Sequence, residues 1–222
     1  MSLKNNNIVT IDGPSASGKG SLAKALAKEL NFNLLDSGLL YRAYSYCFNN
    51  GKNHSFAKDL FSHLNIKSIN NEMHVFENGK DITSILRNED VAKSASELSS
   101  FRETRENLIS FQRDLASNQG LVADGRDMGT VVFPDAGTKI FLVADAEERA
   151  KRRFLELQNA GQEVNMRDLI DDIRLRDEAD KVREISPLIP ADDSVEVNSS
   201  NLTPQEVLKI VLEIYKEKTK EV

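Results

Sequence analysis

Gly13-Pro14-Ser15-Ala16-Ser17-Gly18-Lys19-Gly20-Ser21 is the stretch that decides the fold. It follows a β-branched run over residues 8–11 and opens into a helix-forming segment over residues 22–30. A strand that leads through a glycine-rich turn into a helix is the setting of a phosphate-binding loop. The glycines let successive N–H groups turn toward phosphate oxygens at a helix N-terminus, and Lys19 adds a point charge for the β- and γ-phosphates. We therefore expect residues 13–21 to bind ATP; an ordinary turn would need strand, lysine, spacing and helix to coincide by chance.

One detail of this loop reduces the number of protein families that it could belong to. Lys19 is followed by Gly20, and the hydroxyl comes one place later, at Ser21. Among phosphate-binding loops, Gly-Lys-Gly followed by Ser or Thr resembles the nucleoside monophosphate kinases. This spacing leaves open whether Ser21 would contact Mg²⁺ directly or through water.

Outward from the loop, strand-like and helix-like segments alternate. Strands are predicted at residues 8–11, 33–36, 120–124, 139–143 and 194–197, with helical segments between them. This alternation predicts an α/β fold with a doubly wound, five-stranded parallel sheet. Apolar alternation around Asn78-Gly79 indicates a hairpin, so we expect a small antiparallel sheet inserted near residues 52–86. Residues 91–116 are predicted to form two helical pieces, with Phe101 on their inward stripe.

Bulk composition excludes several classes of protein. A chain of 222 residues can bury one full core, so a single domain is expected. Its net charge of −6 argues against a nucleic-acid polymer as partner, because non-specific affinity for one comes from a basic surface. Cys47, the single cysteine, is predicted to be a buried apolar side chain. The chain has no apolar run long enough for a bilayer, and its polar start lacks a signal-peptide core, so we expect a cytoplasmic protein with no membrane partner.

The three histidines, His54, His63 and His74, share no metal-ligand spacing, so surface positions are expected for them. Positive charge is concentrated elsewhere, because eight arginines fall between Arg126 and Arg183. Planar guanidinium groups in such a cluster suit phosphate recognition.

Two charged helices, expected to start near residues 146 and 166, are joined by a short polar link over residues 162–165. Together they could close over bound nucleotide as a lid. On the first helix, Arg149, Arg152 and Arg153 are predicted to lie mostly on outer faces, either as a solvated surface or with part of the set facing ATP phosphates. On the second helix one stripe changes from apolar to charged, along Leu169, Ile173, Arg176, Asp180 and Arg183. The alternative for that stripe is a weak ladder of surface ion pairs.

The strand over residues 120–124 ends in Asp124, the expected carboxylate for the water shell of a metal. Arg126 and Asp127 follow at the sheet edge where α/β folds bind ligands, although a mutual salt bridge in a turn is the alternative.

Three further side chains have a local structural interpretation, and for two of them a functional alternative stands beside it. Ser37 stands where a helix cap would. Arg42 is either a surface charge or a phosphate clamp. Arg105, on an inward stripe, either faces a cleft or pairs locally with Glu103 or Glu106.

Taken together, these segments resemble bacterial cytidylate kinase over nearly the whole chain. The stretches that carry the resemblance are residues 11–21, 35–38 with Tyr41-Arg42, 123–135, Arg176-Asp177 and Pro187-Leu188. The loop is shared by many kinases, whereas Gly125-Arg126-Asp127-Met128-Gly129-Thr130 is far more specific. The resemblance implies one P-loop kinase domain over residues 1–222, with a monophosphate-binding region near 38–118 and a lid near 149–183. It also implies a monomer.

The activity implied by the resemblance is transfer of the ATP γ-phosphoryl group to CMP or dCMP with Mg²⁺. Residues carried over as holding the acceptor phosphate are Ser37, Arg42 and Arg126. Those that would read cytosine are Ser96, Arg105 and Asp127, and Asp180 would contact the sugar. Arg176 and Arg183 would bind phosphates from the lid side, Arg153 would contact ATP, and Ser21 and Asp124 would hold the metal, directly or through water. Lys19, Arg126, Arg176 and Arg183 would form the catalytic set.

A monophosphate acceptor is already anionic near neutral pH, so no protein base is needed, and catalysis would consist of alignment and charge neutralisation. One alternative is a kinase of the same fold for UMP, AMP or a small alcohol. Another is a nucleotide-dependent switch protein, against which the chain contains neither an Asn-Lys-x-Asp nor an Asp-x-x-Gly motif.

Overall fold

A central sheet of five parallel strands confirms the predicted α/β fold class. The computed structural model describes residues 5–116, 119–159, 161 and 163–220. In chain order its elements are β1 (Asn5–Asp12), α1 (Lys19–Leu30), β2 (Asn33–Asp36), α2 (Ser37–Gly51), α3 (His54–Ser62), β3 (Asn65–Ile69), β4 (Glu72–Glu77), β5 (Lys80–Asp81), α4 (Thr83–Leu86), α5 (Glu89–Leu98), α6 (Arg102–Asp114), β6 (Leu121–Gly125), a π-helical turn (Met128–Val132), β7 (Ala136–Val143), α7 (Ala146–Asn159), α8 (Met166–Val182), β8 (Val195–Asn198) and α9 (Pro204–Lys220).

The strand order β2-β6-β1-β7-β8 places β1 at the centre of the sheet. Ile11 of β1 pairs with Asp124 of β6, and Asp36 of β2 pairs with the same residue from the other side. The carboxyl ends of these three strands therefore meet at one edge, beside the loop that follows β1. This edge is where open α/β sheets bind ligands.

Side chains of β1 alternate between two cores, one on each face of the sheet. Ile8 packs with Leu35 and Tyr44 on the face covered by α2 and α6. Val9 and Ile11 pack on the other face, against α1 and α9. Because successive residues of a strand point to opposite faces and both faces are covered, apolar residues occupy both sets of positions in this run instead of alternating with exposed polar ones.

The phosphate-binding loop passes very close to β7. A Cβ added to Gly13 would lie 2.1 Å from the carbonyl oxygen of Leu142, so no side chain fits there. Gly18 has φ of 91° and immediately precedes α1, in a conformation that favours glycine. Two of the loop glycines are thus required by local geometry.

The inserted antiparallel sheet is also confirmed, with strand order β3-β4-β5. Asn78 and Gly79 connect β4 to β5 with φ of 50° and 81°, the positive values that a tight hairpin turn requires. Met73 and Val75 of β4 are buried in the same core as α2. The inserted sheet is therefore packed onto the main fold.

Two predictions about individual residues need adjustment. Asp36, not Ser37, caps α2, because its Oδ1 accepts a hydrogen bond from the N–H of Leu39 at 2.9 Å. Phe101 lies between α5 and α6 with 53% of its surface exposed, so its predicted inward position is wrong. Its place just before α6 takes it off the buried face that Leu108 occupies.

Cys47 is fully buried on α2, as predicted, and burial raises the pKa of its thiol to about 12. His54 packs against the rings of Tyr44 and Phe48, and His74 contacts Asp81 at 2.8 Å. Within the described ranges, no group of three acidic, histidine or cysteine side chains is arranged to hold a metal. Nor does any helix among them combine the length and apolarity that crossing a bilayer takes.

Candidate active site

Two adjoining clefts open at the carboxyl edge of the central sheet. The larger has a volume of about 330 Å³ and lies between α2, α5, α6 and α8. The smaller, about 250 Å³, lies over the phosphate-binding loop and is lined by all of residues 15–21. The polar residues that line both are Ser15, Lys19, Arg42, Arg153 and Arg176. The clefts therefore meet at a group of cations.

The larger cleft is strongly cationic. Its positive side chains are Lys19, Arg42, Arg87, Arg105, Arg126, Arg153, Arg176 and Arg183, and its carboxylates are Asp36, Asp127 and Asp180. This imbalance suits a polyanionic ligand, because guanidinium groups in a partly enclosed site bind phosphate with little competition from water.

Lys19 stands at the first turn of α1, at the junction of the clefts. Its side chain is buried, and Nζ donates a hydrogen bond to the carbonyl oxygen of Pro14 at 2.8 Å. Burial, with a smaller contribution from Arg126, lowers the pKa of Lys19 to about 7, and Asp124 opposes this shift. A phosphate placed here would favour the charged form.

Asp124, the residue before the last of β6, lies directly behind the loop. A Cβ at Gly20 would lie 3.5 Å from its Oδ2, an ordinary van der Waals contact, so the start of α1 passes close to this carboxylate. Burial raises the pKa of Asp124 to about 6, against the effect of Lys19. The carboxylate is thus short of compensating positive charge.

Asp12, the last residue of β1, organises the segment after β6. Its carboxylate accepts hydrogen bonds from the N–H groups of Met128 at 2.8 Å and Gly129 at 2.7 Å. These bonds fix the π-helical turn that begins directly after Arg126-Asp127. Burial nevertheless raises the pKa of Asp12 to about 7.

Asp127 pairs with Arg105 at one end of the larger cleft, and both side chains are at most one-tenth exposed. Arg105 also donates to the carbonyl oxygen of Ser99 at 3.0 Å and lies over the ring of Tyr41, 5.6 Å from its centroid. The alternative local pairs, Arg105 with a neighbouring glutamate and Arg126 with Asp127, are not the ones formed. Sequence-distant partners replaced them because α6 and the β6 edge face each other across the cleft.

Arg126 instead pairs with Asp180 of α8, with 3.0 Å between Nε and Oδ2. Asp180 lies 3.6 Å from Arg183 as well. Although burial acts to raise the pKa of Asp180, Arg126 and Arg183 hold it below its usual value. Of the stripe predicted along the helix that begins near residue 166, the charged members Arg176, Asp180 and Arg183 line this cleft, whereas Leu169 and Ile173 do not.

Several guanidinium groups here are crowded and only partly satisfied. Burial, reinforced by Arg126, lowers the pKa of Arg176 to about 10, and burial likewise lowers the pKa of Arg42 and Arg183. Among the described residues, buried Arg176 Nε and Arg183 Nη2 have no hydrogen-bond partner. Donors left in this state are suited to an anion.

Ser37, Ser96 and Arg42 also line the larger cleft. The buried hydroxyl of Ser37 donates to Gln112 Oε1 at 2.7 Å, and Arg42 donates to the carbonyl oxygen of Leu86 at 3.2 Å. The side chains of Ser37 and Arg42 are therefore oriented by residues from other segments.

Arg149 and Arg152 do not lie on outer faces of α7, so that prediction is wrong for both. Arg149 is buried, pairs with Asp177 of α8 and donates to the carbonyl oxygen of Ser15 at 3.1 Å. Arg152 donates to the carbonyl oxygen of Ser17 at 3.0 Å. Both contact the loop that binds phosphate in our prediction, and neither lines a cleft.

Arg153 does line both clefts, where it pairs with Glu89 and with Glu156, the latter at 2.9 Å. Of the predicted site residues, those outside both linings are Gly13, Pro14 and Asp124. Polar lining residues that the sequence did not indicate are Asp36, Tyr41, Arg87, Ser99, Glu89 and Glu156. Tyr41 could have been predicted as a site residue, since it adjoins Arg42 in one of the motifs quoted above. Arg87 follows the inserted sheet in a segment that contains no such motif.

The chain is similar to known proteins over most of its length. A family model described as cytidylate kinase matches residues 9–217. The chain is 45% identical to the cytidylate kinase of Pseudomonas putida (strain W619), over 90% of this chain and 92% of that protein. It is 44% identical to the cytidylate kinase of Stutzerimonas stutzeri (strain A1501), over 92% and 93%. It is also 44% identical to cytidylate kinase 1 of Haemophilus influenzae, over 90% of both chains.

Proposed function

The chain belongs to the cytidylate kinase family, and on this premise we propose that it transfers the γ-phosphoryl group of ATP to CMP or dCMP, giving ADP and CDP or dCDP. The observation that carries the proposal is the meeting of the two clefts at Lys19, Arg42, Arg153 and Arg176. A donor on the loop and an acceptor in the larger cleft would bring their reacting phosphates together at these cations.

ATP is held by the loop over residues 13–21. Lys19 neutralises the β- and γ-phosphates, and Arg153 contacts ATP after exchanging its present carboxylate partners for phosphate. The N–H groups of the loop supply the remaining donors at the start of α1.

The acceptor phosphate is bound by Ser37, Arg42 and Arg126, of which Arg126 is oriented by Asp180. Arg176 and Arg183 approach from the lid side, and their unpartnered nitrogens are available to phosphate oxygens. Charge that develops on the transferring group is neutralised by Lys19, Arg126, Arg176 and Arg183.

Cytosine is read by Ser96, Arg105 and Asp127 at the far end of the larger cleft. The pairing edge of cytosine has an amino donor and two acceptors, and this trio offers both kinds of group. Asp180 contacts the sugar. None of the lining carboxylates is needed as a base, because the acceptor phosphate is already ionised.

Mg²⁺ fits the residues present. Asp124 is a carboxylate short of positive charge beside Gly20, and the exposed hydroxyl of Ser21 lines the loop cleft. Magnesium in such sites takes one or two protein oxygens and fills its shell with water and phosphate. Ser21 and Asp124 would hold the ion, directly or through water, and its charge would help to neutralise the phosphates.

We assign the monophosphate-binding region to residues 38–118 and the lid to residues 149–183, within one domain over residues 1–222. Of these assignments, residues 1–4, 117–118, 160, 162 and 221–222 lie outside the described residues. We also propose that the protein acts as a cytoplasmic monomer without nucleic-acid or membrane partners, which size-exclusion chromatography and fractionation would test.

A coupled assay of ADP release across CMP, dCMP, UMP, AMP and shikimate tests the function. We expect rapid turnover with CMP and dCMP and a strict need for Mg²⁺. Faster turnover with another acceptor would replace the substrate assignment, and ATP turnover independent of any acceptor would favour a nucleotide switch.

A further inference from the structure

Ser186 lies in the turn after α8 with an unusual backbone conformation. Its φ is 50°, in the left-handed region, and Pro187 follows it. Contact with a proline ring favours extended backbone for the preceding residue, so a left-handed serine at this position is strained. Residues held in such conformations concentrate at functional sites.

The turn that contains Ser186 is anchored to the end of α8. The N–H of Leu188 donates to the carbonyl oxygen of Asp180 at 2.8 Å, and the Leu188 side chain is buried. The carboxylate of Asp180 itself lines the larger cleft and pairs with Arg126. The strained turn is therefore built onto the wall of the proposed acceptor site.

Two arginines of that site contact Ser186. Arg105 Nε donates to its hydroxyl oxygen at 3.2 Å, and Arg183 Nε donates to its carbonyl oxygen. Ser186 is not itself part of the cleft lining, so it acts through these two side chains. One of them is our proposed reader of cytosine, and the other binds phosphate.

The contact with Ser186 completes the fixation of Arg105. Its Nε, Nη1 and Nη2 donate to Ser186, to the carbonyl oxygen of Ser99 and to Asp127, respectively. A guanidinium has five N–H groups in one plane, so two remain, one on each terminal nitrogen. Anchoring at all three nitrogens determines the direction in which the remaining two point.

That direction matters for the choice of base. Arginine only donates, and cytosine presents acceptors at its ring nitrogen and carbonyl, whereas uracil carries a hydrogen on the corresponding ring nitrogen. Two N–H groups held toward this edge can donate to both acceptors of cytosine. With uracil, one of them would face the ring N–H, so two donors would oppose each other. A guanidinium free to rotate about its bonds would discriminate less.

We propose that Ser186 is a specificity-determining positioning residue, which fixes the base-reading Arg105 and ties it to the phosphate-binding Arg183 through one strained turn. This inference rests on the proposed function and deepens it. It gives the turn that follows the proposed lid a part in selecting CMP over UMP.

The test compares steady-state kinetics of Ser186→Ala with those of the unchanged chain, using CMP and UMP as acceptors and ATP with Mg²⁺. Loss of a hydrogen bond to a charged group should raise KM for CMP about tenfold and reduce the CMP-to-UMP ratio of kcat/KM by a similar factor. KM for ATP should stay unchanged. Ser194→Ala is the matched control, since its hydroxyl bonds only the nearby Ala191 carbonyl oxygen, at 2.6 Å.

Ser186→Gly provides a second variant, because glycine adopts φ of 50° without strain and keeps the carbonyl group for Arg183. The same loss of discrimination is expected from it. An unchanged CMP-to-UMP ratio in either variant, or equal losses with both acceptors, would overturn the inference. If the unchanged chain does not phosphorylate CMP, the proposed function itself fails, and the two failures are thus distinguished.

Discussion

Arg149 donates a hydrogen bond to the carbonyl oxygen of Ser15 across 3.1 Å, although Arg149 lines neither cleft. Arg152 makes the corresponding bond to Ser17, two residues further along the loop. When arginine side chains bind the carbonyl oxygens of a loop, the N–H groups between those carbonyls can point to the opposite side. A row of such N–H groups is the usual form of a backbone anion site. Two helix-borne arginines thus support the loop without facing its ligand.

Replacing Arg149 with methionine should weaken ATP binding selectively. The loop would lose its bond to Ser15, and Asp177 would lose its buried partner. We expect KM for ATP to rise about tenfold with KM for CMP nearly unchanged. Lys151→Met, on an exposed position of the same helix, is the control. Equal increases in both KM values would contradict a role centred on the loop.

Asp127→Asn should affect the acceptor far more than the donor. Arg105 would be left buried beside a neutral group, and the amide would present its donors where only acceptors fit. We expect KM for CMP to rise at least tenfold, and stability to fall by about 3 kcal/mol. Initial rates at varied CMP and ATP, with thermal unfolding, would measure both. Asp135→Asn, an exposed position in the same segment, should change neither.

Arg176→Met should make the free protein more stable and the enzyme much slower. Arg176 has a buried, unpartnered Nε and lies close to Arg126, so its charge is costly until phosphate arrives. We expect about 1 kcal/mol greater stability without ligand, and a fall in kcat of at least about 100-fold. Denaturant unfolding and initial rates would be compared directly. A variant that is both active and less stable would show that Arg176 is structural.

Cys47 gives a pH-dependent contribution to stability with a definite sign. Burial raises the thiol pKa from 9.0 to about 12, so above the unfolded value the unfolded chain ionises while the native protein does not. Stability contributed by Cys47 is therefore complete below pH 9 and is lost as the pH rises toward 12.

Between about pH 8 and about pH 10, this difference should remove roughly 1.4 kcal/mol from the unchanged chain. The Cys47→Ala variant should not show that loss, so the stability difference between the two proteins, measured by denaturant unfolding at both pH values, should change by the same amount. Parallel pH dependence in both proteins would argue against a shifted thiol.

By itself the sequence determined the features that depend on local backbone conformation and on the alternation of strand-like and helix-like segments. Residues 13–21 specified a phosphate-binding loop, because glycines and a lysine at fixed spacing between strand and helix restrict the backbone to few forms. The Asn78-Gly79 hairpin followed equally, since it depends on neighbouring residues alone. The five parallel strands followed from alternation along the chain.

Only the tertiary structure decided which charges meet. Arg105 pairs with Asp127 and not with the nearby glutamates, and Arg126 pairs with Asp180 and not with its neighbour. Arg149 does not lie on the helix surface but donates to the carbonyl oxygen of Ser15. Each choice depends on which helix faces the sheet edge, and on burial, which makes an unpaired charge expensive enough to select a partner 22 to 134 residues away. Such pairs join different elements, so the spacing of residues along one helix cannot predict them.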